Sequence, residues 1–290
     1  MIDILVLNYN DANTTVDFVK SVKNYSCVRK ILLVDNHSTD DSLETLKALE
    51  NDKVVVVDSG ENKGYGAGNN FGIRYLYERY KSEFILLSNP DVIIEENVIV
   101  DLEKFLRSNC DYAVAAPFML NAKGEKENHT AFRIPSTFEY ILSLDVLAKK
   151  YFLSFDCGYK ALKTEKNVVD VDALAGSLFM LNVDKFIKFG FFDEKIFLYC
   201  EEVVLGKKMK SAGLKLALLP KLFFVHNHST SISKTYRSEC AKHKILLKSK
   251  KYVLKEYFHA NFLEMLLVNF LGFTSSIELR MLTFLKGLLK

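Results

Sequence analysis

Proline and cysteine are scarce and scattered in this chain, with four prolines and five cysteines in 290 residues. So few prolines, with no long Gly/Ser tract, internal repeat or low-complexity segment, argue against extended disorder. The cysteines (Cys27, Cys110, Cys157, Cys200 and Cys240) are far apart, odd in number and form no CxxC pair. That excludes a cysteine-built zinc or redox site, and the length excludes a disulfide-stapled miniprotein. Reduced thiols in a cytoplasmic protein are what remain. Net charge is also small: +3 gives no electrostatic ground for a nucleic-acid partner, although lysines crowd the last fifty residues. The N-terminus has Asp3 inside its apolar stretch and no basic region ahead of it, so no signal peptide is expected. The most apolar late stretch, residues 262–273, contains Glu264 and Asn269. It falls short of the roughly 20 apolar residues a membrane span requires, so no span is expected.

The chain does have the makings of an ordinary globular protein: 49% hydrophobic and 26% charged residues, and enough length to bury an α/β core. The first ninety residues alternate apolar runs (2–7, 31–34, 54–57 and 84–87) with segments of three- and four-residue apolar spacing (14–23 and 41–49). This is the pattern of βαβ units building a mostly parallel sheet flanked by helices. Ser38-Thr39-Asp40-Asp41 offers N-cap chemistry to the second helix. Ligands of such sheets collect beyond the carboxyl ends of the strands. Four polar clusters stand there: Asn8-Tyr9-Asn10, Asp35-Asn36-His37-Ser38, Asn62-Lys63-Gly64-Tyr65-Gly66 and Ser88-Asn89-Pro90-Asp91.

Residues 110–180 show a strand at 112–116, a polar loop near 121–129 and an apolar stretch at 173–181. A helix follows from Val183, then another over 201–212 closed by Gly213. Short strands at 215–219 and 223–225 lead into His226-Asn227-His228, and the remainder reads as helical, basic and amphipathic. The organisation expected is a domain over 1–235 and a helical tail over 236–290.

Several residues in these clusters have a chemical reading beside a structural one. Asp91, fixed by a Pro-containing turn at a strand end, suits a hard cation bridging a ligand's diphosphate, and Asn-Pro-Asp is equally good turn chemistry. Asp35 suits a base N–H or a ribose hydroxyl, or a turn cap. Gly64, Gly66 and Gly68 form GxGxG, not the dinucleotide GxGxxG, and no such fingerprint follows the first strand. They allow close backbone approach to a ligand, with Asn69 and Asn70 beside them. Glu201-Glu202 stands where the aromatic stretch Ile196-Phe197-Leu198-Tyr199 meets a helix start. The macrodipole there favours the ionised form of both, and an ionised carboxylate beside a cleft can act as general base. His226 and His228 alternate along an extended segment, so at most one faces a ligand.

Taken together and in order, these clusters resemble the family 2 glycosyltransferases of the GT-A fold, particularly the bacterial rhamnosyltransferase-like members. LVLNYN resembles the opening strand, and ILLVDNHSTDDS the VDNxSxDxS segment. NKGYGAGNNFG is similar to the N-x-G-[FY]-[AG]-x-x-N-x-G loop, and LLSNPDV to the LNPDx form of the DxD metal motif. The segment from AGSLFML to FLYCEEVVL resembles the acceptor-side stretch ending in Glu-Asp-x-Asp-Leu, and VHNHSTS the late His-x-x-x-x-Ser element.

The resemblance implies a Rossmann-like GT-A domain with a C-terminal helical extension, and an inverting transfer from a UDP-, dTDP- or GDP-linked sugar to a glycan or lipid-linked acceptor in surface polysaccharide synthesis. It places Asp35 at the nucleotide base, Asn8 and Asn69 near the nucleoside, and Gly64 and Asn89 at the donor. Asp91 and His226, with His228 as its rival, would hold Mn2+ or Mg2+. Glu202 would be the general base, supported by Glu201. Two positions depart from the family pattern: Glu202 stands where an aspartate is usual, and Val204 where the next acid would be. The usual arginine on the following helix is replaced by Lys207 or Lys208. An inactive nucleotide-sugar-binding homologue or scaffold is therefore the alternative. For the tail two readings stand open: packing in a core or homodimer, or peripheral contact with the inner face of the cell membrane.

Overall fold

Near-continuous runs of Val, Ile and Leu form the central strands because both faces of each are covered. The computed structural model describes residues 1–151, 153–227 and 238–288. It has strands β1 (Ile2–Asn8), β2 (Val28–Asp35), β3 (Val54–Asp58) and β4 (Phe84–Ser88) at the four expected places. Between them lie α1 (Ala12–Val22), α2 (Ser42–Lys47) and α3 (Tyr65–Tyr80). Helix α1 buries Ala12, Thr15, Phe18, Val19 and Val22, the single stripe that turns an amphipathic helix toward a sheet.

The chain then continues through β5 (Val92–Ile93), α4 (Glu96–Ser108), β6 (Tyr112–Asn121) and β7 (Ala131–Phe132). Short helices α5 (Thr137–Leu142), α6 (Val146–Tyr151) and α7 (Gly158–Leu162) lead to β8 (Val169–Val171), β9 (Ala173–Leu174) and β10 (Leu178–Asn182). Next come α8 (Val183–Phe189), α9 (Glu201–Ser211), β11 (Lys215–His226), α10 (Glu239–Glu256) and α11 (Phe262–Leu288).

The sheet runs β3-β2-β1-β4-β10-β6-β11-β5, with β8 paired to β11. Strands β3, β2, β1 and β4 are parallel, so their carboxyl ends and the polar clusters share one edge. Strand β10 enters antiparallel between β4 and β6, and β6 and β11 are again parallel. The sheet is thus mixed but mostly parallel. One core lies under α1 and α4, and a second under α3, α8 and α9. A third joins α5 and the start of α9 to the tail through Tyr140, Ile141, Ile196, Val204, Val253, Leu254 and Val268.

Three sequence expectations change. The strands expected at 215–219 and 223–225 are one strand, β11, whose register against β6 shifts between Leu219 and Phe223. The cap of α2 is not made by a side chain of its N-cap residue, Asp41. Ser38 instead bonds Asp35, and Asp40 Oδ1 accepts from the backbone N–H of Ser42. The late apolar stretch is a 27-residue helix, α11, of which Phe262–Phe284 is long and apolar enough to cross a membrane by length and composition. The polar residues that suggested interruption have local uses. Glu264 and Asn261 cap the helix reciprocally at 2.7 and 3.0 Å, and Asn269 accepts from Lys251 at 2.9 Å.

Candidate active site

The turn after β4 is locked from three sides. Asn89 N donates to Ser177 O at 2.8 Å, Ser88 Oγ donates to Asn89 O, and Asn227 N donates to Asp91 O at 2.9 Å. Pairing of β5 with β11 sets Val92 opposite His226, which brings His226 Nε2 to 3.1 Å from Asp91 Oδ1. Both side chains are largely buried and line a cavity of about 890 Å³. Asn89 and Pro90 line it as well. The part expected of His228 lies outside the described residues.

The ends of β1 and β2 contribute by alternation. Leu7, Tyr9 and Asn36 line the cavity, whereas Asn8 and Asp35 do not and are fully buried. Asn8 Nδ2 donates to Asp35 Oδ1 at 2.9 Å, Ser38 donates to both carboxylate oxygens at 2.7 and 2.8 Å, and Thr15 Oγ1 donates to Asn8 Oδ1. Asp35 therefore ties two strand ends together. Its neighbour Asn36 donates to Asn62 Oδ1 at 3.0 Å, and the same oxygen accepts from Gly64 N.

The glycines meet protein rather than open space. Gly64 has φ +99°, and a Cβ there would stand 2.0 Å from Phe197 O. Gly66 and Gly68 lie inside α3 against Phe192 and Leu7. Gly64 still borders the cavity, but the close approach it permits is to the 196–200 segment, whose Phe197 O accepts from Tyr65 N at 3.0 Å. Asn69, buried on α3, donates to Tyr65 O and does not line the cavity.

Helix α9 is presented by backbone rarely adopted by L-residues: Tyr199 and Cys200 have φ +71° and +74°. Glu201 and Glu202 then both reach the cavity lining. Glu202 Oε1 lies so near Gly176 that a Cβ there would be 3.2 Å away, and Tyr65 Oη would be 3.4 Å from the same point. Tyr65 Oη donates to Gly176 O at 2.6 Å. The expectation that both carboxylates are ionised fails for Glu201. Burial, with the Glu202 charge adding to it, pushes its carboxyl well above the usual carboxylate range. Removal from water outweighs the helix start. Glu201 Oε1 has no hydrogen-bond partner among the described residues, which fits a neutral acid.

The remaining wall was not foreseen in the sequence. It is made by Tyr140 and Ser143 at α5, Lys149 on α6, residues 153–156, and Leu246 and Lys250 on α10. Ser249 Oγ anchors α10 by donating to Leu198 O at 2.7 Å. Burial pushes the Cys200 thiol up to about 12, so it is inert. These residues are spread over more than a hundred positions and carry no shared motif, so no sequence signal grouped them.

Among the described residues no third His, Cys, Asp or Glu joins Asp91 and His226 in a group able to hold a metal. A carboxylate oxygen and an imidazole nitrogen nevertheless fit a divalent cation whose other positions are filled by phosphate oxygens and water.

The mostly parallel sheet flanked by helices is a GT-A fold. The crystal structure of GalNAc-T7 with UDP, GalNAc and Mn2+ shares the fold at TM-score 0.62 and 17% identity, over 90% of this chain and 50% of that one. The chain thus spans half the length of that protein. The model of glycosyl transferase family 2 matches residues 3–164, more than half of the chain, and the chain belongs to that family. It is similar to the low-salt glycan biosynthesis hexosyltransferase Agl10 of Haloferax volcanii, 27% identical over 226 residues covering 78% of this chain and 67% of the relative. It is also similar to the rhamnosyltransferase WbbL of Escherichia coli, 25% identical over 190 residues covering 62% and 68%.

Proposed function

We propose that this glycosyltransferase transfers a hexosyl or deoxyhexosyl group, with inversion, from a nucleoside-diphosphate sugar to a hydroxyl of a glycan or lipid-linked acceptor. The observation that carries the reading is that Glu202 and the Asp91–His226 pair line the same cavity. Tyr9, Asn36, Asn62 and Gly64 border it where a nucleoside would lie. Asn8 and Asp35 hold that border in place from behind, and Asn69 fixes the first turn of α3. Asn89 approaches the diphosphate. Asp91 and His226 would hold Mn2+ or Mg2+, which when bound neutralises the departing diphosphate.

Glu202 takes the proton from the acceptor hydroxyl as its oxygen bonds the anomeric carbon. The bond from that carbon to the diphosphate oxygen breaks, its electrons leave with the nucleoside diphosphate, and the proton stays on Glu202. Gly176, having no Cβ, leaves room for that carboxylate. Residues 1–235 carry this chemistry, and 236–290 add Leu246 and Lys250 to the acceptor-side wall and supply peripheral contact with the cytoplasmic face of a membrane.

A thermal-shift screen against UDP-, GDP- and dTDP-sugars with and without Mn2+ tests the donor. One class should raise the Tm, more with metal present, because a ligand bound only by the folded state stabilises it. No response to any donor contradicts the reading.

A further inference from the structure

Lys250 is only 5% exposed yet lines the cavity. Its Nζ donates to Ser143 O at 2.7 Å and Ser143 Oγ at 2.8 Å. These uncharged acceptors take two of the three N–H bonds of an ammonium, and the Tyr140 ring on the same wall stands 5.5 Å from Nζ. No carboxylate among the described residues pairs with it, and Lys149 on the same wall adds a second positive charge. The Glu201 carboxyl, which lines the same cavity, is pushed well above the usual carboxylate range by burial, which weakens it as a counter-charge. Burying a cation without a partner is costly, and the cost is offset when a bound anion completes the pair.

We propose that Lys250, held by Ser143, and Lys149 form a subsite for a phosphate group carried by the acceptor. The wall belongs to α5, α6 and α10, whereas the donor's diphosphate is assigned to the strand-end wall at Asp91; the word acceptor rests on that functional reading. Lysine serves here as a point charge for phosphate oxygens, with the Ser143 hydroxyl orienting it. Burial and the nearby Lys149 push the Lys250 ammonium down to about 7, and an anion bound beside it would favour the charged form again.

The test is calorimetric titration of inorganic pyrophosphate into the full chain in EDTA, which removes divalent cations, with and without excess UDP. The wild type should bind with or without UDP, and Lys250→Met and Lys149→Ser should each weaken binding about tenfold or more, the loss expected for a charge-assisted hydrogen bond. Asp91→Asn should not weaken it. No binding by the wild type, equal binding by both lysine variants, or competitive displacement by UDP overturns the subsite. Lys149 is exposed, so its variant carries the test if Lys250→Met does not fold. Sugar transfer plays no part in this readout, and the donor screen fails or succeeds independently of it.

Discussion

Glu201 and Glu202 are chain neighbours in different environments, and the difference can be titrated. The Glu201 carboxyl is raised above its ordinary value of 4.5 by burial. A raised folded-state value means that its contribution to stability is fully present below pH about 4.5 and is lost as pH rises through the folded value. Denaturation of wild type and Glu201→Gln across pH 4 to 8 should show the wild type losing stability relative to the variant, by at most ~1.4 kcal/mol per pH unit. Parallel curves would contradict a neutral Glu201. Composition could not disclose this, because two adjacent glutamates look alike until one is packed away. Asp91 and His226 were legible as strand-end residues, and pairing of β5 with β11 supplied the contact the sequence left open. At β1 and β2 the polar clusters were legible, but strand alternation gives the cavity to Tyr9 and Asn36 and the interior to Asn8 and Asp35.

At the scale of elements, the first four strands were legible because each is a continuous apolar run bounded by polar turns. Strand β10 was not: its antiparallel entry between β4 and β6 depends on pairing across about a hundred residues, which local pattern does not encode. Pro220 and Lys221 split β11 in the sequence, while in the sheet a register shift absorbs them. Gly64 is the N-cap residue of helix α3, and Gly64→Ala tests what that glycine does. Its positive φ and the 2.0 Å approach of a Cβ to Phe197 O leave no small adjustment, since the obstacle is backbone. The substitution should cost about 2 kcal/mol or more in urea denaturation, from left-handed strain plus displacement of the 196–200 segment. A variant as stable as the wild type would mean the segment yields freely.

For the molecule as a whole, α11 is the least finished surface. Phe262, Leu266, Phe270, Phe273, Ile277, Met281 and Phe284 are exposed along one face. They recur at intervals of three and four, one stripe of a helix. Lys244, Lys248 and Lys255 are exposed on α10, and Lys251 bonds Asn269 beside the stripe. Apolar residues flanked by lysines suit an anionic lipid surface. The opposite side of α11 buries Val268 and Ser275, and Glu278 accepts from Val146 N, so the helix is held against the protein while its stripe faces outward. Full-length protein should co-sediment with anionic vesicles, and Phe270→Ser/Phe273→Ser/Phe284→Ser should do so several-fold less. Equal binding, or a concentration-dependent dimer lost in the variant, would assign the stripe elsewhere.

The central claim is that one cavity joins a donor held near Asp91 to an acceptor activated by Glu202. The most direct measurement is the sugar-transfer rate of Glu202→Gln beside its donor-induced Tm shift. The account predicts transfer reduced about a hundredfold to ten-thousandfold, the range for loss of a general base, with the donor shift retained. Transfer at the wild-type rate would contradict it.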